Sequence, residues 1–171
     1  MKNIYIILSF IAIVLCSSIA TVQAEEVSVR YTKFDENGQQ LPSDAEKWAI
    51  VLDNLSGLYW EVKTVGEGVH GNAELYKFSK AKKLLARELN KMNFGGFSDW
   101  RLPSTAELTK LRSEGEEPFI DMDFFPNTQP AAYHSWNICG SGEFVTEKVS
   151  FGSQKVKGKS LYARAVRGEG E

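Results

Sequence analysis

An α+β fold, with antiparallel sheets and one long and one short helix, is predicted by three features of the chain. Toward both ends lie short runs in which apolar and polar side chains alternate, the period of strands that turn one face to a core. Between them, Ala73 to Met92 repeats its apolar residues at three-, four- and seven-residue steps, which makes one helical face. Ser104-Thr105-Ala106-Glu107 then opens a second, short helix. Strands, two helices and strands again is the order of an α+β domain rather than of alternating βαβ units.

The first 24 residues stand apart from this pattern. Lys2 precedes the almost unbroken apolar run Ile4 to Val14, and Val22-Gln23-Ala24 has the small-residue form of a signal-peptidase site. The apolar run is shorter than the roughly 20 residues a spanning helix needs. Leu15 before Cys16 is too bulky for a lipoprotein site. Residues 1–24 are therefore expected to be a signal peptide and 25–171 a single exported domain, periplasmic or at the cell surface, with no membrane span left after cleavage. The chain holds 20 Lys and Arg against 22 Asp and Glu. Loss of Lys2 takes the net charge to about −3, whereas nucleic-acid binders carry a basic excess. Cys139 becomes the single mature thiol, and outside the cytoplasm such a thiol is buried, reactive or intermolecular.

Val27, Val29 and Tyr31 alternate with Ser28, Arg30 and Thr32 as a first strand, and Asp35-Glu36-Asn37-Gly38 turns the chain. Trp48–Leu52 and Leu58–Lys63 are two more strands, joined through Asp53-Asn54-Leu55-Ser56-Gly57 as a hairpin. The long helix buries Leu75, Phe78, Leu85, Leu89 and Met92, flanked by Ala81 and Ala86, and ends at Asn93-Phe94-Gly95-Gly96, where glycine suits a left-handed cap. Trp100–Leu102 is extended, as the residue before Pro103 must be. The capping box follows, with Leu108 and Leu111 directed inward. Glu114–Pro130 is a long connection, and Ala132–Trp136, Glu143–Phe151 and Lys159–Arg167 return to strand, with turns at Gly140-Ser141-Gly142 and Gly152-Ser153.

Candidate chemistry is sparse. Only His70 and His134 supply an imidazole; His70 lies in a Gly-rich turn as a solvated loop residue, whereas His134 and Cys139 sit close enough for a Cys–His pair. No oxyanion-hole signature accompanies that pair. Glu114, Glu116, Glu117, Asp121 and Asp123 form an acidic loop without the ligand ladder of a calcium site, and no zinc pattern or cofactor motif is present. The strongest patch is a basic stripe: Lys77, Lys80, Lys83, Arg87 and Lys91 recur at three- and four-residue steps, enough to attract a polyanion or to serve simply as a solvated helix face.

Several landmarks line up with one family. Asp53-Asn54-Leu55-Ser56-Gly57-Leu58-Tyr59-Trp60-Glu61, the stretch Gly96 to Leu108 ("GFSDWRLPSTAEL"), Phe125-Pro126-Asn127-Thr128 and Tyr162 to Gly168 together resemble the Lcl C-terminal domain, named for the tail of a collagen-like adhesin. The likeness covers roughly residues 30–168. It implies a C-type-lectin-like arrangement and, from the founding member, binding to sulfated glycosaminoglycans. Trp60, Asp99, Trp100, Arg101, Pro103, Ser104 and Glu107 are its motif residues, and Asp99 and Arg101 are expected to hydrogen-bond within the corner between the helices.

Three departures qualify the likeness, and a neighbouring family of calcium-dependent lectins fits less well. Ala86 and Ala165 stand where many members carry cysteines, Tyr133-His134-Ser135-Trp136 replaces "Y-W-S-S", and no collagen repeat precedes the domain. Glu117-Pro118-Phe119 and Trp136-Asn137-Ile138 break the calcium-lectin triplets. The sequence thus points to an exported, non-enzymatic domain that binds a polyanionic glycan or an envelope protein. An enzyme using His134 and Cys139, or a structural subunit of an envelope assembly, are the alternatives.

Overall fold

The structure is a computed structural model that describes residues 29–138, 144–152 and 160–169. The signal segment, Cys139 and the Gly140–Gly142 turn lie outside the described residues. Tyr31–Phe34 (β1), Ile50–Asp53 (β2) and Leu58–Glu61 (β3) form an antiparallel meander. Val166–Arg167 (β8) closes it by pairing with β3, so the sheet order is β1-β2-β3-β8. Tyr76–Lys77 (β4) pairs with Ser160–Leu161 (β7), and Ala132–Ile138 (β5) with Phe144–Ser150 (β6), both antiparallel. Phe78–Lys91 (α1) and Thr105–Lys110 (α2) are the long and short helices. The protein is thus a mixed α/β domain with antiparallel sheets.

The four-stranded sheet is covered on both faces, and period-two alternation divides it between two cores. Val51, Leu58, Trp60 and Val166 join Leu108, Leu111, Phe125 and Tyr133 in one. Ile50 and Ala165 join Ala81, Leu85, Leu89 and Trp100 in the other. Burial of each large side chain contributes about 1.5–3 kcal/mol relative to exposure. No helix among the described residues is long and apolar enough to cross a membrane.

Most elements fall where the sequence puts them, and the exceptions have physical causes. The first strand begins at Tyr31, with Val29 exposed, because pairing with β2 starts at Tyr31–Asp53. The long helix begins at Phe78 rather than Ala73: Tyr76 and Lys77 are held as strand by Leu161 and Ser160. Leu75, ahead of the helix, and Met92, its C-cap, are exposed, while Ala81, Leu85 and Leu89 carry the buried face. The left-handed residue that ends α1 is Asn93 (φ 52°), not a glycine, and a 3-10 turn at Phe94–Gly96 follows. The last predicted strand is two short ones, β7 and β8.

Ser104 and Glu107 make the capping box in full, and Leu108 and Leu111 are buried. The Asp35–Gly38 turn also forms, with Asp35 Oδ1 accepting from the Asn37 and Gln39 amides. Gly38 has φ +81°, and a Cβ there would collide with the Gly95 carbonyl oxygen. That contact seats the turn on the end of α1, where the Gly95 amide donates to the Glu36 carbonyl at 2.9 Å.

Candidate functional site

The outer face of α1 carries the basic stripe because the helix has 3.6 residues per turn and its core positions lie opposite. Lys80, Lys83, Arg87 and Lys91 are exposed along it, and Lys77 is exposed just ahead of it in β4. Lys83 and Arg87 share two shallow hollows. One of about 710 Å³ also meets Phe78, Ser79, Lys82 and Asn90, and one of about 130 Å³ meets Lys80 and Glu88. Lys77 and Lys91 extend the stripe without lining either hollow. Acidic neighbours are peripheral: Glu74 lies 3.9 Å from Lys80 and Glu88 lies 3.8 Å from Arg87, long and solvent-exposed pairs that neutralise little.

The "GFSDWRLPSTAEL" residues serve the fold. Asn90 of α1 clamps the backbone of Trp100 in both directions, through Oδ1 to its amide (2.7 Å) and Nδ2 to its carbonyl (3.1 Å). Trp100 is buried and donates Nε1–H to the Phe94 carbonyl at 2.8 Å. The backbone of Arg101 bridges Val166, and its guanidinium reaches Glu107 and the Gly168 carbonyl. Burial would push the Glu107 carboxyl up, but Arg101 and the Ser104 amide outweigh it and hold the group below its ordinary range. Asp99 takes a bidentate grip from Arg167, whose hydrogen bonds hold its carboxyl low. The Pro103 carbonyl accepts from the Trp136 amide, and Trp60 lies in the core.

His134 is buried between elements. Its Nε2–H donates to the Tyr76 carbonyl at 2.6 Å, and burial lowers its basicity. In the acidic loop Asp121 Oδ1 accepts from the Asp123 amide. Among the described residues no group of three His, Cys, Asp or Glu side chains is placed to hold a metal ion.

Sequence reasoning missed one charged cluster. His70 is not a solvated loop residue: its Nδ1 lies 2.9 Å from Oε1 of Glu61, which is fully buried, and its ring packs on Phe94 at 4.5 Å. Lys63, also buried, donates to the same Oε1 (3.0 Å) and to the Val69 carbonyl. The Ala165 amide donates to Oε2, and buried Arg164 donates to the Glu61 carbonyl and to Thr128. Burial alone would raise the Glu61 carboxyl; Lys63, His70 and the Ala165 amide together hold it low. The available signal was Glu61-x-Lys63, two charges on one side of an otherwise apolar strand. His70 also lines a cleft of about 330 Å³ with Glu36, Asn37, Trp48, Met92 and Phe94 among its walls.

No curated protein and no solved structure matches the chain. The model of the Lcl C-terminal domain matches residues 49–167, which run from β2 through the Trp100–Glu107 corner to β8. Most of the chain is thereby accounted for, and the protein belongs to the Lcl C-terminal domain family.

Proposed function

We propose that this protein is an exported, non-enzymatic ligand-binding domain that takes polyanions, such as sulfated glycosaminoglycans, along α1. The single observation that carries this reading is the exposed run of Lys80, Lys83, Arg87 and Lys91 on the side of α1 opposite its core face. Several cations held at fixed spacing on a rigid helix focus potential on a linear anion, although each alone contributes little. The family resemblance supports a C-type-lectin-like arrangement and an adhesion-type role, and the leader-like first 24 residues support export to the periplasm or surface. His134 lends no support to an enzyme, since its Nε2 is committed to a backbone carbonyl.

The test is elution from heparin resin in a salt gradient, with circular dichroism melting as a folding control. The natural protein should elute later than a variant with Lys80, Lys83 and Arg87 all changed to Glu. Equal elution of two folded proteins would remove the proposal.

A further inference from the structure

We propose that the cleft between the Asp35–Gly38 turn and the C-terminal end of α1 binds a small organic cation, an ammonium group carried on a short apolar stem. Its volume of about 330 Å³ is near the lower end for small-molecule pockets. The apolar wall is made by Trp48, Phe94, Met92, Ala49 and Val62. Aromatic faces and a polarizable sulfur suit a cation with a hydrocarbon body.

The polar wall selects the sign of charge. Among the described residues Glu36 is the one carboxylate that lines it, and none of the lining residues is Lys or Arg. Asn37 is a further polar lining residue. His70 closes this wall, its Nδ1–H donating to the Glu61 carboxylate at 2.9 Å. Lys63 and the Ala165 amide anchor Glu61 from behind, so the imidazole has a fixed orientation.

Two further features agree. Met92 is the C-cap of α1, which sets the negative end of the helix dipole at the cleft. Lys91, in the last turn, offsets part of that field but does not line the cleft. One face of the Trp48 ring already holds a cation, the Lys33 ammonium at 3.9 Å, which is tied to the Ser43 and Ala45 carbonyls. Among the described residues the cleft shares no lining residue with the hollows along α1, so this site stands or falls independently of polyanion binding.

The experiment is calorimetric titration of the protein with benzylamine, with benzyl alcohol as its uncharged counterpart, alongside histidine NMR spectra. Benzylamine should bind at least about tenfold more tightly than benzyl alcohol and shift the imidazole signals of His70, assigned with His70→Asn. Glu36→Gln should weaken benzylamine about tenfold with unchanged melting, because the Glu36 contact to Gly95 is through its backbone. A parallel titration with N-acetyl-lysine amide distinguishes a free amine from a lysine side chain, and saturable binding of either supports the site. Absence of heat and of His70 shifts at millimolar benzylamine would overturn the proposal. Equal affinity for the alcohol, or indifference to Glu36→Gln, would do the same.

Discussion

The guanidinium of Arg101 grips the carboxylate of Glu107 in two hydrogen bonds of 2.8 and 2.6 Å, while the other Glu107 contact closes the Ser104 capping box at 2.7 Å. One carboxylate therefore starts α2 and ties it to the extended segment that precedes it. The Gly168 carbonyl, 3.1 Å from the same guanidinium, brings the end of β8 into the joint.

Removing the guanidinium should leave Glu107 charged and buried with too few partners. Arg101→Ala is expected to destabilise the fold by about 2 kcal/mol, read as a lower midpoint in urea. Unchanged stability with weaker heparin retention would instead make Arg101 a ligand-binding residue.

Acid should act through the same joint. Glu107 is held below its ordinary value of 4.5 in the folded state. Its stabilising contribution is complete above that value and is lost as pH falls through the lower folded one. His134 adds to this from higher pH: its basicity is lowered from 6.5 on folding, so the unfolded chain gains a proton first. The melting temperature should begin to fall below about pH 6.5 and drop more steeply below about 4.5. Glu107→Gln should lower stability at neutral pH and flatten the steep part; an unaltered acid profile would contradict the assignment.

Gly38 and Gly57 form a matched pair for a backbone test. Both have positive φ, +81° and +68°, but only at Gly38 would a Cβ strike another backbone atom; at Gly57 nothing lies within 4 Å. Gly57→Ala should cost about 1 kcal/mol from the left-handed conformation alone, and Gly38→Ala clearly more. Equal losses in chemical denaturation would show that the Gly38–Gly95 contact relaxes freely.

Arg167 grips Asp99 in a bidentate pair while lying over the rings of Phe97 (4.0 Å) and Tyr59 (4.9 Å). Asp99 is half exposed, so a double-mutant cycle with Asp99→Asn should give a coupling below about 1 kcal/mol. Arg167→Lys should cost more than Asp99→Asn, since an ammonium loses both the fork and the stacking. The reverse order would mean that the ion pair, not the rings, holds Arg167.

The parts of this fold written in short-range chemistry were legible in the sequence. Ser104 and Glu107 are three residues apart, and the Asp53–Gly57 hairpin is set by its own turn residues, so both could be read directly. The start of α1 could not: Leu75 keeps the helical period, but Tyr76 and Lys77 are claimed by β7, more than eighty residues on. The Glu61 cluster was hidden for the same reason. Glu61 and Lys63 look solvent-facing in a strand with one covered side, and the other is covered by α1, Trp100 and the return of Ala163–Ala165, all distant in sequence. His70 is placed by a carboxylate nine residues away, a partner that loop composition does not reveal.

That return sets when the fold can be completed. β8 pairs with β3 across more than a hundred residues, and Arg164 and Ala165 supply the hydrogen bonds that satisfy Glu61. Such long-range closure is slow, and it keeps the partners separated until the last stretch has emerged from the ribosome. Until then Glu61 lacks its Ala165 amide donor and the edge of β3 is unpaired. The four-stranded sheet is thus completed by the last strand in the chain, and every earlier element must hold its place without that edge until β8 arrives.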